Sequence, residues 1–224
     1  MTLTATRATS NRAPAAPEPL FGLPARIAMV GAVSLSVVAL ALVLPAWPPG
    51  DDMGSTHYMG LLAANQPWNL LLFMAVPVVL AETIAVTELI VLFSQGAYRR
   101  VNLVNRYAGL FAGVYFLGVF AYLLRHAVVP LTRDGGWRGT ADVAAVGFYL
   151  LGLVPLYGMT LLETRIVGAG LTAHDRRKLH AALVGAFLVV AHVAMIFGML
   201  DPTVLGWSAT HVMPGGTVMP GMAH

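Results

Sequence analysis

Five stretches of this chain stay apolar for about as long as a helix takes to cross a bilayer, and this limits what it can fold into. They run from Ile27 to Trp47, Asn69 to Phe93, Asn105 to Pro130, Val143 to Gly168 and Leu179 to Leu200. The hydrocarbon core takes about 20 apolar residues per helix. Short connections leave no room for a separate soluble domain. The predicted fold is therefore all-α: a polytopic integral membrane protein, with residues 27–200 forming a compact bundle of five transmembrane helices. Composition agrees, since 10% of residues are charged and 58% hydrophobic, where a soluble domain carries about 25% charged residues. A water-soluble globular enzyme, a disordered chain and a nucleic-acid binder are excluded. Cysteine is absent, so no thiolate metal site, disulfide framework or cysteine nucleophile is available.

Residues 1–26, rich in Thr, Ala, Pro and Ser, show no apolar periodicity and are expected to be a disordered leader. The first apolar run is longer than the 7–15 residues of a signal-peptide core and reads as a retained anchor. Basic residues set the direction of the spans. Arg7, Arg12, Arg26, Arg99, Arg100, Arg106, Arg165, Arg176, Arg177 and Lys178 fall on one side, and only Arg125, Arg133 and Arg138 on the other. The N-terminus is expected in the cytoplasm and the C-terminus outside a multi-pass cell-membrane protein. Trp47, Trp68, Trp137 and Trp207 all fall at outer ends or in outer loops, as interfacial anchors do.

An ionisable side chain within the membrane costs about 2.5–3.5 kcal/mol on insertion scales, so each one needs a reason. Glu82 lies near the centre of span two, with Glu88 six residues further on, about 9 Å closer to the cytoplasm at 1.5 Å per residue. Glu163 stands at the inner end of span four, His180 at that of span five, and His192 just outside the middle of span five. By depth, Glu88, Glu163 and His180 share the inner leaflet, Glu82 and His192 meet near the midplane, and Arg125 and His126 occupy the outer leaflet. These five Glu and His residues are the expected buried polar site. Glu163 and His180 also read as interfacial, solvated groups. Six positions on a helix rotate by about 240°, so Glu82 and Glu88 face different neighbours and do not chelate together. Pro77 and Pro155 each free a carbonyl one turn earlier, and a freed carbonyl must face protein or a polar cavity.

The outer segments are rich in methionine and histidine. The tail, residues 201–224, carries His211, Met213, Met219, Met222 and His224 and is expected to be flexible; the first outer loop carries His57 and Met59 beside Asp51, Asp52 and Met53. Thioether and imidazole ligands suit copper, Cu(I) above all. These seven Met and His residues are the candidate metal ligands, against the reading of an incidental Met-Pro-Gly tail.

Three functions follow from these residues. The first is a metal-linked, copper-linked transporter or membrane redox subunit, in which the Glu82/His192 layer binds metal or moves protons. The second is a haem-b electron-transfer subunit working with quinol, with two histidines as axial ligands; His126 and His192 differ in depth, and His57 must fold inward. The third is a structural or assembly subunit that packs with other membrane subunits through small residues at Gly109, Ala112, Gly113, Gly185 and Ala186. No phosphate-cradling glycine loop, H-E-x-x-H or Glu-x-x-His repeat is present.

Overall fold

The computed structural model describes residues 21–46 and 55–208 together with the backbone of 210–212 and 218–220. Five helices are long and apolar enough to cross a membrane: α1 Leu23–Val43, α3 Trp68–Phe93, α4 Arg99–Asp134, α5 Gly139–Glu163 and α6 Ala173–Met199. A short helix, α2 His57–Ala63, precedes α3. The expected five-helix architecture is therefore present, with α4 starting and ending several residues outside the span read from the sequence.

Local chemistry sets the helix boundaries. Thr172 caps α6 by accepting a hydrogen bond from the Asp175 amide at 3.1 Å, and Asp175 places a carboxylate in the first turn. Thr56 caps α2 through the Met59 amide and donates to the Gly198 carbonyl at 2.7 Å, which ties α2 to α6. Pro77 has no N–H, and its acceptor one turn back would be Phe73 O. That carbonyl instead accepts the Tyr149 hydroxyl of α5 at 2.6 Å, so the group freed by proline is satisfied by a neighbouring helix. The chain widens into a π-turn over Leu71–Ala75 just before this proline, and into a second over Leu124–Val128 before Pro130.

α4 and α5 form the centre of the bundle, and α1 lies almost wholly on its surface. α1, α3 and α5 all pack on α4, and α6 packs on α5. The closest approach joins α4 to α5. A Cβ at Gly113 would overlap Thr160 Oγ1 and come within 2.5 Å of Leu156 O, so only glycine lets the two backbones meet. Gly109 and Ala112 lie on the same buried side of α4, so these small residues serve packing within the bundle rather than the contact with other subunits expected of them. Gly185 and Ala186 are exposed instead, and a Cβ at Gly185 meets nothing within 4 Å. Outward-facing Leu35, Val43, Phe93 and Met199 give the bundle an apolar exterior, suited to lipid.

The spans alternate in direction. Arg26, at the start of α1, donates to the Thr164 and Arg165 carbonyls after α5, while Tyr122 of α4 donates to Pro45 O beyond the other end of α1. One face gathers Arg26, Arg106, Arg165 and Arg176 and is called the basic face below. On the opposite face, Thr210–Val212 pairs antiparallel with Val218–Pro220. The tail expected to be flexible throughout thus contains a two-stranded ribbon. The leader to Leu20, Trp47, Asp51, Asp52, Met53, Met213, Met222 and His224 lie outside the described residues.

Gly113→Ala is expected to destabilise the bundle by about 1–3 kcal/mol through overpacking. Gly185→Ala, where space is open, should leave stability unchanged or raise it slightly. Thermal unfolding of both variants in the same mild detergent checks the pair.

Candidate functional site

The innermost polar cluster is built on Glu88. Residues Ala81, Ile84, Glu88 and Val91 repeat at helical spacing and form the buried side of α3. That side brings the Glu88 carboxylate against α4 and α6, where Glu88 is only 4% exposed and His180 3%. Glu88 Oε2 accepts from Asn105 Nδ2 at 3.1 Å and lies 2.8 Å from His180 Nδ1. Asn105 also donates to Thr87 Oγ1 at 3.0 Å. The other ring nitrogen, His180 Nε2, stands 3.8 Å from Glu163 Oε1, within ion-pair range but too far for a hydrogen bond. Glu163 in turn lies 3.5 Å from Arg106 Nε. One imidazole therefore sits between two carboxylates from different helices, and Glu88 Oε1 and His180 Nε2 remain buried without a partner among the described residues.

This cluster forms the inner wall of a cavity of about 500 Å³ on the basic face, rimmed by Arg106, Arg165, Arg176 and Arg177. Arg165, in the loop after α5, is held below the usual arginine pKa. Burial acts first, followed by the positive charges of Arg176, Arg106 and Arg26; Glu163 works in the other direction.

A second cluster stands at the opposite face. Asp142 of α5, fully buried, accepts from the His57 amide at 2.7 Å and the Arg138 amide at 3.2 Å, and its Oδ2 is 2.6 Å from His57 Nδ1. Arg138 donates to Ser55 O at 2.5 Å, closing the loop before α2. His57, Tyr58, Tyr122, His126 and Tyr149 share a cavity of about 160 Å³. Burial pushes the Tyr58 phenol up to about 12, so it stays protonated at neutral pH. The His126 ring packs on Tyr122 at 4.6 Å, and its Nε2 is buried without a partner among the described residues.

The midplane pair lies elsewhere than expected. Glu82 and His192 do line one cavity of about 180 Å³, but both are exposed on the outer surface of the bundle rather than buried within it. The rotation from Glu88 is the reason: the side of α3 that packs inward carries Glu88, which turns Glu82 outward. His192 Nδ1 donates to Leu188 O at 2.6 Å, which fixes its tautomer and leaves Nε2 as an acceptor. The remaining wall of this cavity is aromatic and aliphatic, including Phe73, Phe116, Tyr149 and Phe187.

Glu88, Glu163 and His180 are thus brought together, and the solvated reading of Glu163 and His180 gives way to a buried His180 and a half-buried Glu163. His57 is placed on the first turn of a helix and held by Asp142, not carried on a loose loop. Met59 is half-buried beside it, and Arg125 is exposed. His211 and Met219 are paired in register in the ribbon. Among the described residues, no three His, Asp or Glu side chains converge as a metal site. Sequence reasoning missed Asn105, because it is the first residue of its apolar run, and Asp142, because it precedes one by a single position.

A family model matches residues 53–214, which include α2 to α6 and all three polar clusters, and the chain belongs to that family, described as a family of unknown function (DUF6803). No curated protein and no solved structure matches the chain.

Asn105→Ala removes an N–H donor from a buried carboxylate and is expected to cost about 1–3 kcal/mol. With Glu88→Gln as the second change, a double-mutant cycle should show a coupling of about 1 kcal/mol or more, since the two side chains share one hydrogen bond. Additive effects on unfolding in detergent would mean that the contact carries no stability.

Proposed function

We propose that this member of DUF6803 moves protons across the cell membrane, coupled to opening of the bundle. The reading rests on three histidines at different levels of one bundle: His57 on Asp142, His180 between Glu88 and Glu163, and His192, which lines one cavity with Glu82. In two of them the Nδ1 position is held by a carboxylate, and in the third by the Leu188 carbonyl. Nε2 is left in each to take or release a proton. Imidazole is the side chain suited to that task, because its unperturbed charge change falls between about pH 5 and 8. Ionisable groups inside a membrane commonly mark proton relays. Ten basic residues against three support a cytoplasmic basic face.

Packed side chains separate the three sites, so protons pass only when the bundle opens, at carrier rates on the µs–s scale of such transitions. Purified protein in vesicles loaded with a pH-sensitive dye should carry protons faster than protein-free vesicles under an imposed potential. Glu88→Gln should abolish that excess. Proton movement no faster than in empty vesicles sinks the reading.

A second reading is favoured by the held geometry of His57: copper capture at the face opposite the arginines. A carboxylate on Nδ1 orients a histidine and raises its basicity toward a metal at Nε2, and Met59, His126 and the tail residues His211, Met213, Met219, Met222 and His224 supply further soft donors. The expected result is about one copper per chain by metal analysis, reduced by His57→Ala and by removal of residues 211–224. Copper content unchanged by either alteration would exclude these ligands. The haem reading gains less: His57 and His126 share only about 160 Å³, below the ~300–1,000 Å³ of cofactor sites.

A further inference from the structure

We propose that the cavity on the basic face binds a phosphate-bearing anion, presented by a lipid headgroup or by a soluble phosphate compound. Four guanidinium groups line its 500 Å³ against two carboxylates, Glu88 and Glu163. Their protein partners leave the charge uneven. Arg177 is spent on Gln95 O at 2.9 Å, and Arg106 stands 3.5 Å from Glu163. Arg26, just outside the cavity, holds the last carbonyls of α5. Arg165 and Arg176 have no carboxylate within salt-bridge distance among the described residues, and Arg176 Nε is buried without a hydrogen-bond partner.

Like charges gathered in a partly buried place repel one another, and an anion bound between them relieves that repulsion. Here Glu163 faces Arg106, and Glu88 turns one oxygen to His180 and Asn105, so neither carboxylate meets Arg165 or Arg176. A phosphate brings two or more acceptor oxygens that match the fork of a guanidinium. Basic pockets between membrane helices on the cytoplasmic side are places where lipid phosphates lodge, and the volume also admits a soluble phosphate ester. The same arginines repel a metal ion, which sets this end of the bundle apart from the copper reading. The site does not rest on proton coupling, because occupancy is measured without any flux.

The test uses the full-length chain, stripped of lipid in neutral detergent, beside Arg165→Gln/Arg176→Gln. Two probes are added: inorganic phosphate, with sodium chloride of equal ionic strength as control, and phosphatidylglycerol, with phosphatidylcholine as control. A melting temperature raised by phosphate but not chloride identifies a soluble ligand. Retention of phosphatidylglycerol over phosphatidylcholine, read by mass spectrometry, identifies a lipid. Either result supports the site if the double variant weakens that binding about tenfold or more, the expected loss of charged hydrogen bonds. Without added anion the double variant should melt at or above the wild type, because two like charges are gone. The proposal is overturned if neither probe is distinguished from its control, if the double variant binds as the wild type does, or if it melts well below the wild type in the absence of anion.

Discussion

A carboxylate placed between apolar helices stays there only if neighbouring helices supply its hydrogen bonds, and the packing of this bundle follows from how Glu88 meets that demand. One of its oxygens takes a bond from Asn105 on α4 and a contact from His180 on α6, which joins three helices at a single atom. The register of all three is fixed by it, since a slip of one turn, about 5.4 Å, would leave the carboxylate bare. His180 packs against α4 at Gly109, where a Cβ would meet Nε2 at an ordinary contact distance of 3.6 Å.

The same demand is met differently at the opposite face. Asp142 gathers two backbone amides and an imidazole within the first turn of α5, so the acid anchors a loop and the helix that follows it. α2 is drawn into the bundle in consequence. Tyr58 and Leu62 are buried there, and Asn69, fully buried at the next helix, donates to Leu61 O at 3.0 Å. A segment that lies between spans in the sequence becomes part of the core.

What the sequence discloses depends on whether the property is one-dimensional. Span length and polar-group depth are, so the five helices and the shared level of Glu88, Glu163 and His180 could be read directly. Which way a side chain faces around its helix is not. Glu82 and Glu88 differ in direction by helical arithmetic, but only the packing of Ala81, Ile84 and Val91 shows that Glu88 is the inward one. Asn105 and Asp142 stand at the margins of apolar runs, where depth arithmetic treats a polar residue as solvated. Their importance comes from partners 17 and 85 positions away in sequence, and no local pattern encodes such a pairing. The seven-residue α2 is too short to register as a span, and its burial depends on Thr56, Asp142 and Gly198, which belong to three different parts of the chain.

Packed apolar and aromatic side chains lie between the clusters. Tyr58 and Tyr149 line both the cavity holding His57 and His126 and the one holding Glu82 and His192, and their rings lie 5.2 Å apart as a shared wall. Phe116 extends it at 5.1 Å from Tyr149. Below, Ile84, Met159, Phe187 and Val184 close the way toward Glu88 and His180. The hydroxyl of Tyr149 donates to Phe73 O, so this wall is tied to the helix that Pro77 interrupts. That interruption and the π-turn before it relax the backbone bonding of α3 at this level. Movement there would shift Glu82 and Glu88 together, because both ride on the helix below the break.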